Sequence, residues 1–462
     1  MNIYIPIEVK KREIEGRTLL ALAAAERGHV VVLGGKEDTL GLAGRGLLKP
    51  GILHLKTLQP SLTTVANLKG YLSRGHVITS QDEESGMDRD YEVFARTRYS
   101  AETCSMASRI ACWGPYDART LRDLYGRGND LNLAETGSPR VDFWRPEFSG
   151  YYARQQKALK ERFGSYVLVS SNFGAVLNVR RFWDWVKRLR DTNHLVNEEA
   201  EYALYRETGD VMCILAEFVR MIRALAAANP GTQVIVRPHP VDAVGAWRGL
   251  LGDCPGVVVT REGTLGAWLR GAKVLIHNGC TSGLEAAVCG VPRIAYVPVE
   301  SEFERKAPNA VSLRLDSLAA LLDAVDAILH GRSLMFDAEH QQGEQALLRQ
   351  RFSSLDGALA SDRIVDEWEQ LSSSSLEGAN DWMKVRFAVR RRQLRAHMSR
   401  VLSSFGRGRP KKWWPSLTRL KFPPIKDSEI STIVSDLKSF LGRFEAVGYE
   451  RLGERSFIFR SS

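Results

Sequence analysis

The 462-residue chain has no apolar run approaching the roughly 20 residues needed to span a bilayer. Its start, MNIYIPIEVKKREIEG, lacks the apolar segment of a signal peptide; charges stand in that place. Cysteine is sparse, with six residues at 104, 112, 213, 254, 280 and 289, none in a CxxC or zinc-ligand spacing. A chain this long needs no disulfide staples, so reduced thiols and a cytoplasmic protein are expected. Internal repeats are absent, which excludes a solenoid. Acidic residues are missing between Lys384 and Lys421, where thirteen Lys or Arg occur.

Hydrophobic residues make up 44% of the chain and charged residues 26%, which excludes disordered and collagenous classes. A single core rarely grows beyond roughly 250–300 residues, so at least two domains are expected. The net charge is +10, and without the 384–421 segment it falls to about −3. The basicity therefore belongs to one region. Trp413 and Trp414 beside it suit the headgroup level of a membrane. An anionic membrane surface, rather than nucleic acid, is the expected partner of 384–421.

Short β-branched runs alternate with helical patterns along most of the chain, as parallel βαβ units do. MNIYIPIEV, HVVVLGG, GHVITS and ASRIACWG read as strands of a first unit; SYVLVSSNFG, TQVIVRPHP, GVVVT, AKVLIHNG and VPRIAYVPV as strands of a second. The expected class is α/β, with two Rossmann-like domains facing a cleft. The boundaries are 1–148 for an acceptor domain, 149–371 for a donor domain, 372–383 for a serine-marked linker and 384–462 for a basic helical extension. Ligands of such sheets bind at the carboxyl ends of the strands.

Two loops of the second domain carry phosphate-binding chemistry. HNGCTSGLEA follows a buried strand and opens a helix. Gly279 and Gly283 allow close approach, while Thr281, Ser282 and helix-start amides suit an anion. RPHP ends another strand; Arg237 offers a forked donor, His239 a single one, and Pro238 and Pro240 stiffen the loop. Further candidates are Asn172 and Phe173 after the first strand of this domain, and Asn309 and Ser312 in a late loop with Pro308. In the first domain, Asp82, Glu83 and Glu84 follow GHVITS, and Glu8, Lys10, Arg12 and Glu13 follow the first strand, where an acceptor would enter. Each of these also has a plain structural role available, as a cap, a turn or a solvated face.

The ordered set IPIEVKKREIEGR, SQDEESG, TGSPRVD, VSSNFG, RPHP, HNGCTSGLEA and APNAVS resembles bacterial surface carbohydrate biosynthesis proteins, which belong with GT-B glycosyltransferases; the resemblance spans roughly residues 1–371. More distantly, the His-Pro and Ser/Thr loops are similar to those of retaining CMP-Kdo transferases and bacterial sialyltransferases. The resemblance implies a CMP-activated donor, Kdo or a related nonulosonate, with His239, Pro240, Thr281 and Ser282 on the CMP phosphate. His277 and Asn278 belong to the same loop, and Glu285 resembles a GT-B glutamate that accepts ribose hydroxyls. It also implies a catalytic carboxylate among Asp82, Glu83 and Glu84, with Glu84 preferred because it is nearest Gly86. The family pattern has glycine directly after two glutamates; here Ser85 intervenes. No metal and no cofactor beyond the nucleotide-sugar donor is expected. The acceptor would be a glycan or lipid-linked glycan on the inner face of the cytoplasmic membrane. Three alternatives stay open: a CDP-alditol phosphotransferase using His277 as a second histidine, a UDP-sugar transferase or epimerase, and an inactive scaffold.

Overall fold

The computed structural model describes all residues except 86–90, 129, 175, 192–194, 196, 240–241, 333–335, 373–375, 406–421 and 462. The chain folds into two units. The first comprises residues 1–85, 91–143 and 349–461; the second comprises residues 144–348.

In the first unit the run Ile3, Tyr4, Ile5 and Ile7 is fully buried as β1 (Asn2–Ile7). Strands buried on both faces read as near-continuous apolar runs, which is the signature of a parallel sheet. β2 (Val30–Gly35), β3 (Ile52–Leu55), β4 (Val77–Ser80), β5 (Arg109–Ala111) and β6 (Leu133–Ala134) join β1 in parallel register. The spatial order β2-β1-β3-β4-β5-β6 reverses direction at β1. The crevice beside β1 is thus the topological switch point, where such sheets bind ligands. Between β1 and β2 runs α1 (Lys10–Glu26), whose Leu19–Ala25 stretch is wholly buried. Gly28, at φ +84°, ends that helix in the left-handed region open to glycine.

The second unit holds β7 (Tyr166–Ser170), β8 (Gln233–Arg237), β9 (Val257–Val259), β10 (Val274–His277), β11 (Arg293–Tyr296) and β12 (Leu313–Leu315), all parallel. Their order, β12-β11-β10-β7-β8-β9, places the switch point between β7 and β10. One face packs on Phe173, Phe218, Met221 and Trp247, the other on Trp268 and Leu269. The α/β class with two Rossmann-like sheets, expected from the sequence, is the class observed.

Residues 384–462 depart from the expected helical extension. Helices Trp382–Phe405 and Asp427–Leu441 are present, but β13 (Val447–Gly453) and β14 (Ser456–Ser461) form a hairpin. β14 pairs antiparallel with β2, so the hairpin completes the first sheet. The physical reason is the apolar Phe457, Ile458 and Phe459, all fully buried, which need that core. Within the expected linker 372–383, two of the described residues are held in place. Leu376 is buried, and Asn380 bonds to Asn2, the Tyr4 hydroxyl and the Lys49 amide. Among the described residues, no helix is long and apolar enough to cross a membrane.

Candidate functional site

Four strand ends of the first unit deliver charges to one edge. Glu8 follows β1, Lys36 follows β2, Lys56 follows β3, and Asp82, Glu83 and Glu84 follow β4. Glu13, in the first turn of α1, folds back and accepts from the Glu8 amide at 2.8 Å and the Val9 amide at 3.2 Å. It therefore supports the start of its own helix. Arg12 donates to Glu84 Oε1 at 2.7 Å and to Glu13 at 3.1 Å. Lys56, almost wholly buried, lies 3.5 Å from Glu8 and 3.8 Å from both Glu13 and Glu84. Arg98 donates to Glu84 Oε2 and stands 3.9 Å from Asp82. Lys36 reaches Glu8 at 3.4 Å.

The three consecutive carboxylates have different environments because neighbouring side chains diverge. Glu83 pairs with Arg17 at 2.6 Å inside the unit. Asp82 is fully buried; its Oδ1 accepts from the Glu84 amide at 2.9 Å, and its Oδ2 has no hydrogen-bond partner. Burial pushes the Asp82 carboxyl up to about 6, against the pull of Arg98. Glu84 keeps a third of its side chain exposed. Burial alone would raise its pKa, but Arg12, Lys56 and Arg98 outweigh that and hold it well below the usual carboxylate range. Behind them, Trp113 Nε1 donates to the Asp82 carbonyl at 2.8 Å, and the Trp113 amide donates to Asp117 at 3.2 Å. Burial pushes Asp117 up to about 7.

Lys10 is engaged within the first unit. It pairs with Glu429 at 2.7 Å and donates to the Pro424 carbonyl, tying α1 to the Asp427–Leu441 helix. TGSPRVD is structural too: Asp142 accepts the amides of Ala360 and Ser361 and so caps the Ala360–Gln370 helix.

In the second unit, His277 ends β10 and is fully buried. Its Nδ1 accepts from the Gly279 amide at 3.1 Å, so Nε2 carries the proton toward Ser312 Oγ at 2.9 Å. Ser312 in turn donates to the Pro308 carbonyl at 2.8 Å. Burial, and behind it Arg293, lowers the imidazole to about 3. A neutral ring with both nitrogens engaged holds the loop in place. A β-carbon on Gly283 would lie 2.5 Å from His277 Nε2, so glycine is required by this close approach. Gly279 takes φ +73°. Thr281 precedes the Ser282–Cys289 helix without capping it through its side chain. Ser282 Oγ and Asn278 Oδ1 are buried with no hydrogen-bond partner.

Other candidates are placed differently from expectation. Phe173 is fully buried against Phe218 and Trp247, so it is core and not a nucleotide contact. Arg237 donates to the carbonyls of Glu262 at 2.6 Å and Gly263 at 3.2 Å and stacks over Trp268, so its fork is engaged within the protein. Asn309 donates to Glu304 at 2.8 Å, leaving its buried Oδ1 without a partner. Glu285 is buried. Asn172 and His239 are partly exposed; the His239 amide donates to Ser171 Oγ at 3.4 Å, and Ser171 donates to Asp242 at 2.5 Å. Arg261 braces the carbonyls of His239 and Asp242. Pro240, Gly86, Trp413 and Trp414 lie outside the described residues.

Sequence reasoning missed Lys36, Lys56, Arg98, Arg17 and Arg261. The first two carried a signal, since each directly follows the last residue of a parallel strand. Among the described residues no group of His, Cys, Asp or Glu could hold a metal ion; the carboxylates of the first unit face Arg and Lys instead. Asp88 and Asp90, an Asp-x-Asp spacing, lie outside the described residues.

No protein-family model and no curated protein matches the chain. Among solved structures it is similar to UDP-GlcNAc 2-epimerase from Neisseria meningitidis bound to UDP-GlcNAc, at 11% identity over 80% of this chain and 100% of that one, with a TM-score of 0.46. It is also similar to the wall teichoic acid polymerase TagF, at 9% identity over 82% of this chain and 90% of that one, with a TM-score of 0.49. A third, the UDP-GlcNAc 2-epimerase of Methanocaldococcus jannaschii, gives 11% identity over 80% of this chain and 100% of that one, with a TM-score of 0.44.

Proposed function

We propose that the chain is a glycosyltransferase of bacterial surface-polysaccharide synthesis that uses a CMP-activated donor, with Kdo or a related nonulosonate as the sugar. The observation that carries the reading is Glu84. It is a part-exposed carboxylate at a switch-point edge, held ionised by Arg12, Lys56 and Arg98. Sugar transfer passes through oxocarbenium-like positive charge, which a fixed carboxylate stabilises or traps as a covalent glycosyl-enzyme. A carboxylate held this acidic is a poor base. Glu84 therefore suits the nucleophile or charge-stabilising role of a retaining enzyme better than proton abstraction from an acceptor. Glu83 is withdrawn from catalysis by its buried pair with Arg17.

The second unit would hold the donor. Leaving CMP carries phosphate charge that must be met. Support comes from the loop after β10, which opens a helix and in which the buried Ser282 Oγ has no hydrogen-bond partner within the chain. His239 would add a donor from the loop after β8. The first unit would take the glycan acceptor, with Glu8 and Lys36 at the rim of the charged edge.

The test is a thermal-shift comparison of CMP, CDP, UDP and GDP, followed by turnover of CMP-sugars. A ligand at 100 times its Kd adds about 2.7 kcal/mol. CMP should raise Tm most. Stabilisation by UDP alone would replace the donor assignment, and CDP-glycerol turnover would replace the reaction.

A further inference from the structure

The Trp382–Phe405 helix carries an outward apolar face that the proposed reaction does not explain. Its inner face is packed: Val385 and Val389 are buried in the core of the first unit. Two of its cations are engaged on the protein, Arg386 with Glu450 at 2.5 Å and Arg392 with Asp38 at 3.2 Å. On the other side Met383, Phe387, Leu394 and Met398 are exposed by 83%, 68%, 62% and 55%. At about 100° per residue these four fall within roughly 60° of one another. Arg390 borders that stripe on one side, and Lys384, Arg391 and Arg395 border it on the other; all four are exposed. Residues 382–405 contain no Asp or Glu.

The position of the helix links this face to the charged edge. It starts beside Asn380, which bonds to Asn2 at the beginning of β1. By Arg392 it has reached the Glu37 carbonyl, one residue from Lys36 at the end of β2. Gly453, at the end of β13, packs against Val389 and Gln393. The remaining turns, from Leu394 to Phe405, carry the helix roughly 18 Å beyond that edge. The chain is described again at Phe422, whose ring packs on Gly35 at the same edge.

We propose that this outward face docks the first unit on an anionic lipid bilayer and brings the acceptor to Glu84 from within that bilayer. The inference deepens the transferase reading and rests on it for the acceptor's role. An exposed apolar stripe rimmed only by cations matches a surface with apolar chains beneath anionic headgroups. A polyanion without an apolar layer, such as duplex DNA, would leave Phe387 and Leu394 in water.

The full chain should float with vesicles of phosphatidylglycerol and phosphatidylcholine and be released as salt rises. Phe387→Asp with Leu394→Asp should weaken binding by about tenfold or more without lowering Tm, since both side chains are exposed. Arg390→Gln with Arg391→Gln and Arg395→Gln should weaken it and flatten its salt dependence. Equal binding to pure phosphatidylcholine, unchanged flotation of the double Asp variant, or preference for duplex DNA over the vesicles would each overturn the proposal. Nucleotide thermal shifts on the same preparations separate the two readings. Lost flotation with intact CMP binding counts against docking alone, and intact flotation without any nucleotide effect counts against the transferase alone.

Discussion

Arg17 meets Glu83 at 2.6 Å with side chains only 1% and 4% exposed, joining the middle of α1 to the loop after β4. Breaking a buried pair leaves an uncompensated charge, typically at a cost of 3–5 kcal/mol. Glu83→Gln should therefore lower stability by about 3 kcal/mol in urea unfolding. Arg17→Met combined with Glu83→Gln should recover part of that loss. A catalytic Glu83 would instead show normal stability and lost turnover.

Glu84→Gln should be told apart by turnover. Its removal of charge leaves Arg12, Lys56 and Arg98 facing a neutral amide, so some stability is lost as well, and the deciding measurement is activity. Turnover should fall by about a thousandfold or more while CMP affinity stays within about threefold. Near-normal turnover would remove Glu84 from the reaction.

Asp117 predicts a pH dependence. Its carboxyl is raised from 3.8 to about 7, chiefly by burial, so between those values the folded chain holds a proton that the unfolded chain has lost. Stability from this group is present at low pH and is lost as pH rises through about 7. Asp117→Asn can still accept from the Trp113 amide and removes that loss. The variant should gain on the order of 2–4 kcal/mol over the parent between pH 5 and pH 7.5. Equal slopes in Tm against pH for the two proteins would contradict it.

Gly283→Ala would drive a β-carbon to 2.5 Å from His277 Nε2 and disturb the chain of bonds through Ser312 to Pro308. A loss of about 1–3 kcal/mol is expected. His239→Ala and Ser282→Ala should spare stability and weaken CMP by about tenfold each, as loss of a phosphate hydrogen bond does. Isothermal titration decides between them: unchanged CMP affinity in both variants would remove the loops after β8 and β10 from the donor site.

The strands and the loops that follow them could be read from residue order, because a parallel strand announces itself as an apolar run and its polar follow-on must lie at the carboxyl edge. Glu84 was reachable in that way. The separate fates of Glu83 and Glu84 were not, since Arg17 and Arg12 reach them from a helix whose register is set only by packing. Phe173 looked like a loop residue beside Asn172; its burial depends on Phe218 and Trp247. The β13–β14 hairpin was hidden by its basic neighbours, although the apolar run Phe457–Phe459 was there to be seen.

The hairpin has a bearing on how the protein is made. Gly34 pairs with Ser456 and Val32 with Ile458, so β2 waits for its outer neighbour until nearly the whole sequence has left the ribosome. The second unit, inserted between Phe143 and Arg349, can assemble first during synthesis. Meanwhile the backbone groups of Val31–Gly34 form an open strand edge, the kind that recruits strands from other chains. A chain stopped before Val447 keeps that edge open permanently and should accumulate as aggregates, while the inserted unit within it folds.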